Sequence, residues 1–275
     1  MTDDKMKILD RVQALLDKAE STTFEEEAKA YFEKAQQLLT RHALSELDLK
    51  GNAAVNDKDT VTTVCVLISE PTPAAKRVLL TGIARANNLK VVQGSSKMRR
   101  DDNDKVPFDH YTQAPMRVVS ADKAHKHYQR IWLTGFTKDI DTALMLYTSM
   151  LIQIAREVKK ANIPSYENKH TWTSHFIISF ANVISARLRK AADTTRKEIV
   201  EEYEAQGVNV LPVLVSRDEQ VKTAYEQVWQ GNLRSSRANY KRTYTTGSSA
   251  GSAAGRRADI GSKKIGGSAA LGRGN

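Results

Sequence analysis

His125 and His127 stand two residues apart. On a strand they would share one face and could hold a metal, with His170 and His175 as further candidates. That set is incomplete, because no His-Glu-x-x-His motif and no cysteine pair accompanies it. Exposed histidines at a strand start are the simpler expectation, and a metal-dependent hydrolase built on His125 and His127 stays an alternative. Arg41-His42 closes a helical pattern, where positive charge offsets the helix dipole and the ring can bond a terminal carbonyl. Paired acids could serve general acid–base or metal chemistry, and two runs qualify: Glu25, Glu26 and Glu27, and Glu198, Glu201, Glu202 and Glu204. Solvated helix faces explain both, since nothing places a partner group nearby. The single cysteine, Cys65, sits in an apolar strand pattern and reads as buried and inert. It also excludes an intramolecular disulfide framework. There is no Walker motif, no glycine-rich dinucleotide loop and no serine elbow. No catalytic residue is assigned, no cofactor is expected, and the chain reads as non-enzymatic.

Charge is the stronger signal. The 275 residues carry a net charge of +10. Residues 231–275 hold nine bases and one acid, a net of +8, so the preceding 230 residues are close to neutral. Within this basic stretch, Arg234, Arg237, Lys241 and Arg242 are interleaved with Tyr240 and Tyr244, and a second cluster follows at Arg256, Arg257, Lys263 and Lys264. Cations of this kind pair with phosphates while tyrosine rings stack on unpaired bases. Backbone-directed nucleic-acid binding, DNA or RNA, is the leading functional expectation. Arg187, Arg189, Lys190, Arg196 and Lys197 could extend the same surface, although a solvated helix face is the simpler explanation of them.

The elements that would position these groups follow from hydrophobic spacing. Residues 5–48 read as a helical hairpin: Ile8, Val12, Leu15 and Leu16 share one face, Ser21-Thr22-Thr23 breaks the pattern, and Ala28, Phe32, Ala35 and Leu39 mark a second buried face. Residues 51–58 read as a linker. Thr60 to Ile68 is β-branched and predicts a strand; Pro73 opens a helix ending near Asn87-Asn88; Leu89 to Gln93 predicts another strand. Gly94 to Pro115 is polar and predicts an exposed loop, followed by strands at Met116 to Ser120 and Gln129 to Gly135. The order β-α-β-β-β predicts a small sheet with helices packed on one face. Ile140, Leu144, Tyr147, Leu151 and Ile154 form an apolar helical stripe, and Trp172 to Tyr203 a long helix whose last turns weaken after Arg189. Val210 to Val215 predicts a short extended run before an amphipathic helix at Arg217 to Trp229.

The last stretch is rich in Gly, Ser and Ala, a composition that predicts disorder in isolation. Gly247, Gly251 and Gly255 nevertheless recur every four residues beside Ala250 and Ala254. On a helix this is a ridge of small residues able to approach another backbone closely. The flanks are too polar for a membrane, and the apolar stretch Leu144 to Ala155 is too short to span one. The charged start MTDDKMKILD has no apolar signal core. A soluble, cytoplasmic protein is expected, in a host cytoplasm if a phage encodes it.

Residues 18–44, KAESTTFEEEAKAYFEKAQQLLTRHAL, resemble the opening module of the family filed as domain of unknown function 2786. The matching positions are Ala19, Glu20, Ser21 and Thr22, then Glu27 and Ala28, Lys34, Ala35 and Gln36, and Arg41, His42 and Leu44. The runs IWLTGFTKDIDTALMLYTSMLIQI and WTSHFIISFANVISARL are similar, more loosely, to the companion region of such proteins, and AGSAAGRRADIG to an ending found in phage members. The resemblance implies a phage or prophage-type accessory protein. It carries over no catalytic residue, because the family has no established activity. The expected organisation is α+β: a helical hairpin over 1–50, an α+β companion domain over 59–230, and a basic tail over 231–275. The partners expected are nucleic acid through the tail and a protein docked on the hairpin, which leaves a virion-associated or interaction module as a second reading.

Overall fold

The structure is a computed structural model. It describes residues 60–99, 108–109, 111–112, 114–118, 127–205, 209, 211–231, 233, 245–258 and 260, with isolated positions 11, 14, 15, 18, 27, 31 and 34. These isolated N-terminal positions are all helical, four of them before residues 21–23 and three after. The Lys18 ammonium lies 5.9 Å above the Tyr31 ring, which brings these two positions together.

The remaining elements run in the order β1 (Val61–Ser69), α1 (Pro73–Ala86), β2 (Lys90–Arg99), β3 (Phe108–Asp109), β4 (Ala114–Pro115), β5 (Arg117–Val118), β6 (His127–Phe136), α2 (Thr137–Lys160), α3 (Lys169–Ala205), α4 (Leu211–Trp229) and α5 (Thr246–Arg257). The main sheet has the order β2-β6-β1-β5. β6 lies at its centre, antiparallel to both β1 and β2, while the short β5 pairs parallel with β1. The fold is α+β, as the pattern of elements implies.

Strand alternation divides the buried residues into two sets. Val64, Val66 and Ile68 of β1 join Ile131 and Leu133 of β6 on one face, packed against Leu79, Leu80 and Ile83 of α1, Leu144 and Tyr147 of α2, and Phe176 and Phe180 of α3. Cys65 and Leu67 point the other way, with Trp132, Tyr128 and Met116, and meet Trp229 of α4. The sheet is therefore covered on both faces, not on one as expected. α4 supplies the second cover.

Local chemistry explains the boundaries. α1 opens on Pro73, whose fixed φ suits a first turn. It ends at Asn87, and Asn88 takes a left-handed conformation (φ 58). The Leu89 amide then donates to the Ala84 carbonyl at 3.0 Å and the Asn88 amide to Arg85 at 3.3 Å, the two bonds of a Schellman ending. Leu89 is thereby turned into the core and β2 begins. β2 runs six residues past the expected end at Gln93. Its register against β6 shifts between Gln93 and Lys97 and then resumes, so main-chain pairing continues through a polar sequence. Of the extended run expected over 210–215, Leu211 to Val215 is helical instead. Pro212 falls in the first turn of α4, where a missing N–H costs nothing, and β-branched neighbours alone do not enforce a strand.

The largest difference concerns the basic tail. Residues 246–257 form α5, and its ridge residues Gly247, Gly251 and Gly255 are buried. The three glycines lie in turn against Trp172, Phe176 and Phe180, so α5 runs parallel to α3. A Cβ at Gly247 or Gly251 would overlap the main-chain carbonyl oxygen of Trp172 or Phe176, and at Gly255 it would stand 3.0 Å from that of Phe180. The backbones can meet only because these side chains are missing. Tail composition predicts disorder, but this segment finds its fourfold glycine spacing matched by a partner within the same chain.

Candidate functional site

α5 is fastened at both ends. At its start the Trp172 indole donates to the Thr246 hydroxyl at 2.9 Å, and the Thr246 amide donates to the Glu167 carboxylate at 3.0 Å. At its end the Arg187 guanidinium donates to the carbonyls of Gly255 and Ala258, both at 2.7 Å. A cation on the last carbonyls of a helix satisfies acceptors that have no intrahelical partner and offsets the dipole. Arg187, considered above as part of a basic surface, instead closes α5.

The preceding helix is fastened as well. At the start of α4 the Arg217 guanidinium lies 3.7 Å from the Phe136 ring centroid and 3.3 Å from the Asp139 carboxylate. At its end Trp229 is 4% exposed, seated on the sheet. The first basic cluster, Arg234, Arg237, Tyr240, Lys241, Arg242 and Tyr244, falls in sequence between these two anchored helices. These six residues lie outside the described residues, as do Lys263 and Lys264, His125, and Arg41-His42. Arg256 and Arg257 occupy the last turn of α5 and are exposed. Arg257 pairs with Glu157 of α2 at 2.8 Å, an exposed contact worth at most about 1 kcal/mol. Among the described residues, therefore, the second cluster sits on a rigid helix end.

His127 is the first residue of β6, opposite Arg99 of β2. His170 and His175 lie on α3. Among the described residues no group of three or more His, Cys, Asp or Glu could hold a metal ion. Glu201 and Glu204 are exposed, as expected of a solvated helix face. Cys65 is buried and unbridged, and its thiol is pushed up to about 12, first by burial and then by the nearby Asp109 carboxylate. It is a poor nucleophile there.

A second cluster, not anticipated from the sequence, lies on the α4 face of the sheet. Tyr111, Trp132 and Trp229 form a compact aromatic group. Tyr111 is edge-on to Trp132 with centroids 5.7 Å apart and tilted 36° to Trp229 at 5.0 Å, and the two indoles are 5.1 Å apart. The Arg130 guanidinium lies 5.3 Å from the Trp132 ring. Beneath them Asp109, 1% exposed, accepts from the Trp132 indole at 3.0 Å and the Thr112 amide at 2.9 Å through the same oxygen. Its other oxygen is buried, with no hydrogen-bond partner among the described residues. The aspartate thus ties the short 109–112 turn to β6 and holds Tyr111 against the indoles. The members are separated by up to 118 positions in sequence, so only the closed sheet brings them together; the one sequence signal was Trp229 at the end of a predicted amphipathic helix.

Comparison with known families identifies the first module. Residues 7–46 match the model of DUF2786, a protein family of unknown function. The DUF2786 match falls on the residues expected to form the helical hairpin and agrees with the resemblance read from residues 18–44. Comparison with curated proteins and with solved structures gives no match. Among the described residues no helix is long and apolar enough to cross a membrane.

Proposed function

We propose that this chain is a non-enzymatic, nucleic-acid-binding accessory protein of phage or prophage type that grips the phosphate backbone through its basic C-terminal residues. The observation that supports this reading most is charge segregation: +8 of the net +10 falls in residues 231–275. The docking of α5 sharpens it. In sequence, Arg234, Arg237, Lys241 and Arg242 belong to a segment flanked on both sides by docked helices, and Arg256 and Arg257 lie in the last turn of a helix fixed on α3, with Lys263 and Lys264 following in sequence. A tethered segment loses less conformational freedom on binding than a free tail, which favours affinity. The DUF2786 module stands apart from this charge and is the natural place for a protein partner.

The test is an anisotropy titration of labelled single-stranded DNA, duplex DNA and RNA with the full-length protein at two salt concentrations. Affinity should fall with salt at a slope of about −0.9 per neutralised phosphate on duplex DNA. Absence of binding to all three at low salt contradicts the reading and directs attention to protein partners of the hairpin. Deleting residues 231–275 is unsuitable as a control, because it removes α5 from the core.

A further inference from the structure

An open groove of about 710 Å³ runs between α4 and the turn that leads from α1 into β2. Its lining carries three cations, Arg85, Lys90 and Lys222, two acids, Asp218 and Glu226, and one ring, Tyr225. Buried anchors set both walls. Leu89 is buried where a Cβ on Gly135 would stand, and it fixes Arg85 before the turn and Lys90 after it. Lys90 pairs with Thr134, and two residues on Val92 pairs with Trp132, so strand alternation puts Lys90 on the α4 face. On α4, buried Val221 and Trp229 hold the helix on the sheet, and Asp218, Lys222 and Glu226 follow one another at four-residue spacing along an exposed strip. The charges are not evenly matched. Asp218 is engaged by Arg196 at 3.4 Å, and Glu226 by Lys222 at 3.9 Å. Among the described residues the side chains of Arg85 and Lys90 have no ion pair or hydrogen bond. A second groove, of about 490 Å³, adjoins the first at Tyr225 and Glu226 and continues past Trp229 to Gly231 and Leu233.

We propose that this groove is a track for a single polynucleotide strand, with Arg85 and Lys90 neutralising its phosphates and Tyr225 contacting an unpaired base where the two grooves meet. The inference rests on the nucleic-acid reading above and adds to it a contact within the folded body and a strand state. Cations without carboxylate partners, set rigidly along a concave surface that also holds a ring, are the parts from which non-specific single-strand sites are built. A duplex is a stiff rod whose phosphates reach only the rim of such a groove. A single strand is flexible enough to follow it and has base faces to offer. Because buried residues on both walls already fix the cations, little freedom is lost when phosphate binds.

Arg85 also lies in the last turn of α1, where its charge offsets the helix dipole, so the test must separate binding from stability. Lys90 has no such role. Labelled single-stranded and duplex DNA are titrated with the unaltered full chain, with Lys90→Gln, and with the double variant Arg85→Gln/Lys90→Gln, and thermal unfolding is followed for each protein. The expected result on single strands is a log–log salt slope shallower by about 0.7 in Lys90→Gln and by about 1.4 in the double variant, with about a tenfold loss of affinity in the latter at about 0.1 M salt. Duplex affinity and unfolding should change little. A single strand carrying 5-iodouracil should photo-crosslink to the peptide containing Tyr225. If both variants bind single strands with the affinity and slope of the unaltered chain, the groove is not the track, while phosphate binding elsewhere in the chain stands. If the unaltered chain binds no nucleic acid, both readings fall together. An equal loss on duplex overturns the single-strand assignment. A loss confined to the double variant, with a lowered unfolding temperature, assigns Arg85 to the fold and overturns the track.

Discussion

The two faces of the sheet are built from alternate residues of the same strands and do different work. One face carries Val64, Val66, Ile68, Ile131 and Leu133, and is sealed by α1, α2 and α3, with α5 packed behind α3. Its strand residues are aliphatic, and aromatic rings enter it from the covering helices, at Tyr147 of α2 and at Trp172, Phe176 and Phe180 of α3. The other face carries Cys65, Leu67 and Trp132, and is covered by α4 and the turn bearing Tyr111. It includes a buried carboxylate and indole groups. The first face sets stability. The second has a polar component that a core alone does not require, and it ends where the basic segment begins.

The comparison can be broken most forcefully on the first face. Phe180 is fully buried in the cluster that also holds Ala254 of α5, and its main-chain oxygen faces Gly255. Phe180→Ala should cost about 3–5 kcal/mol in denaturant unfolding. A loss below about 1 kcal/mol would mean that α5 and α3 are not a common core. Gly251→Val tests the same contact from the other side. The added side chain meets the Phe176 backbone, so α5 must move, at about 1–3 kcal/mol. Limited proteolysis should then cut within 245–260, where the unaltered protein resists.

On the second face, Asp109→Ala removes the acceptor from the Trp132 indole and the Thr112 amide and should cost about 1–3 kcal/mol. The smallest effect concerns Cys65. Its folded pKa, raised from 9.0 to about 12, exceeds the unfolded value, so its contribution to stability is complete below about pH 9 and is lost as pH rises towards 12. Burial shifts the Tyr147 hydroxyl on the first face in the same direction. Cys65→Ala should flatten part of the alkaline loss, measured by urea unfolding at pH 8 and pH 10. A thiol reagent at neutral pH should label Cys65 only at the rate of unfolding.

Periodic features were legible in the sequence. β1 starts within a residue of its expected place, α1 ends at the Asn87-Asn88 pair, and the stripe from Ile140 to Ile154 lies on α2. The fourfold glycine spacing correctly marked a surface for close backbone approach, and its partner proved to be Trp172, Phe176 and Phe180 of the same chain. The helical onset of α4 was hidden because Leu211 to Val215 is apolar and β-branched, and only packing decides such a run. The aromatic group was hidden for another reason. Tyr111, Trp132 and Trp229 have no periodic relation, and the polar stretch around Tyr111 reads as loop whether or not Asp109 anchors it.

The central claim is that anchored basic residues bind phosphate while α5 remains part of the fold. The most direct test is the salt dependence of single-strand binding by a variant with Arg234, Arg237, Lys241 and Arg242 all replaced by Gln, alongside the unaltered full chain. The account predicts an unchanged unfolding transition, weaker binding, and a log–log salt slope shallower by about 0.7 for each of the four cations that had engaged a phosphate. An unchanged slope with unchanged affinity would contradict it.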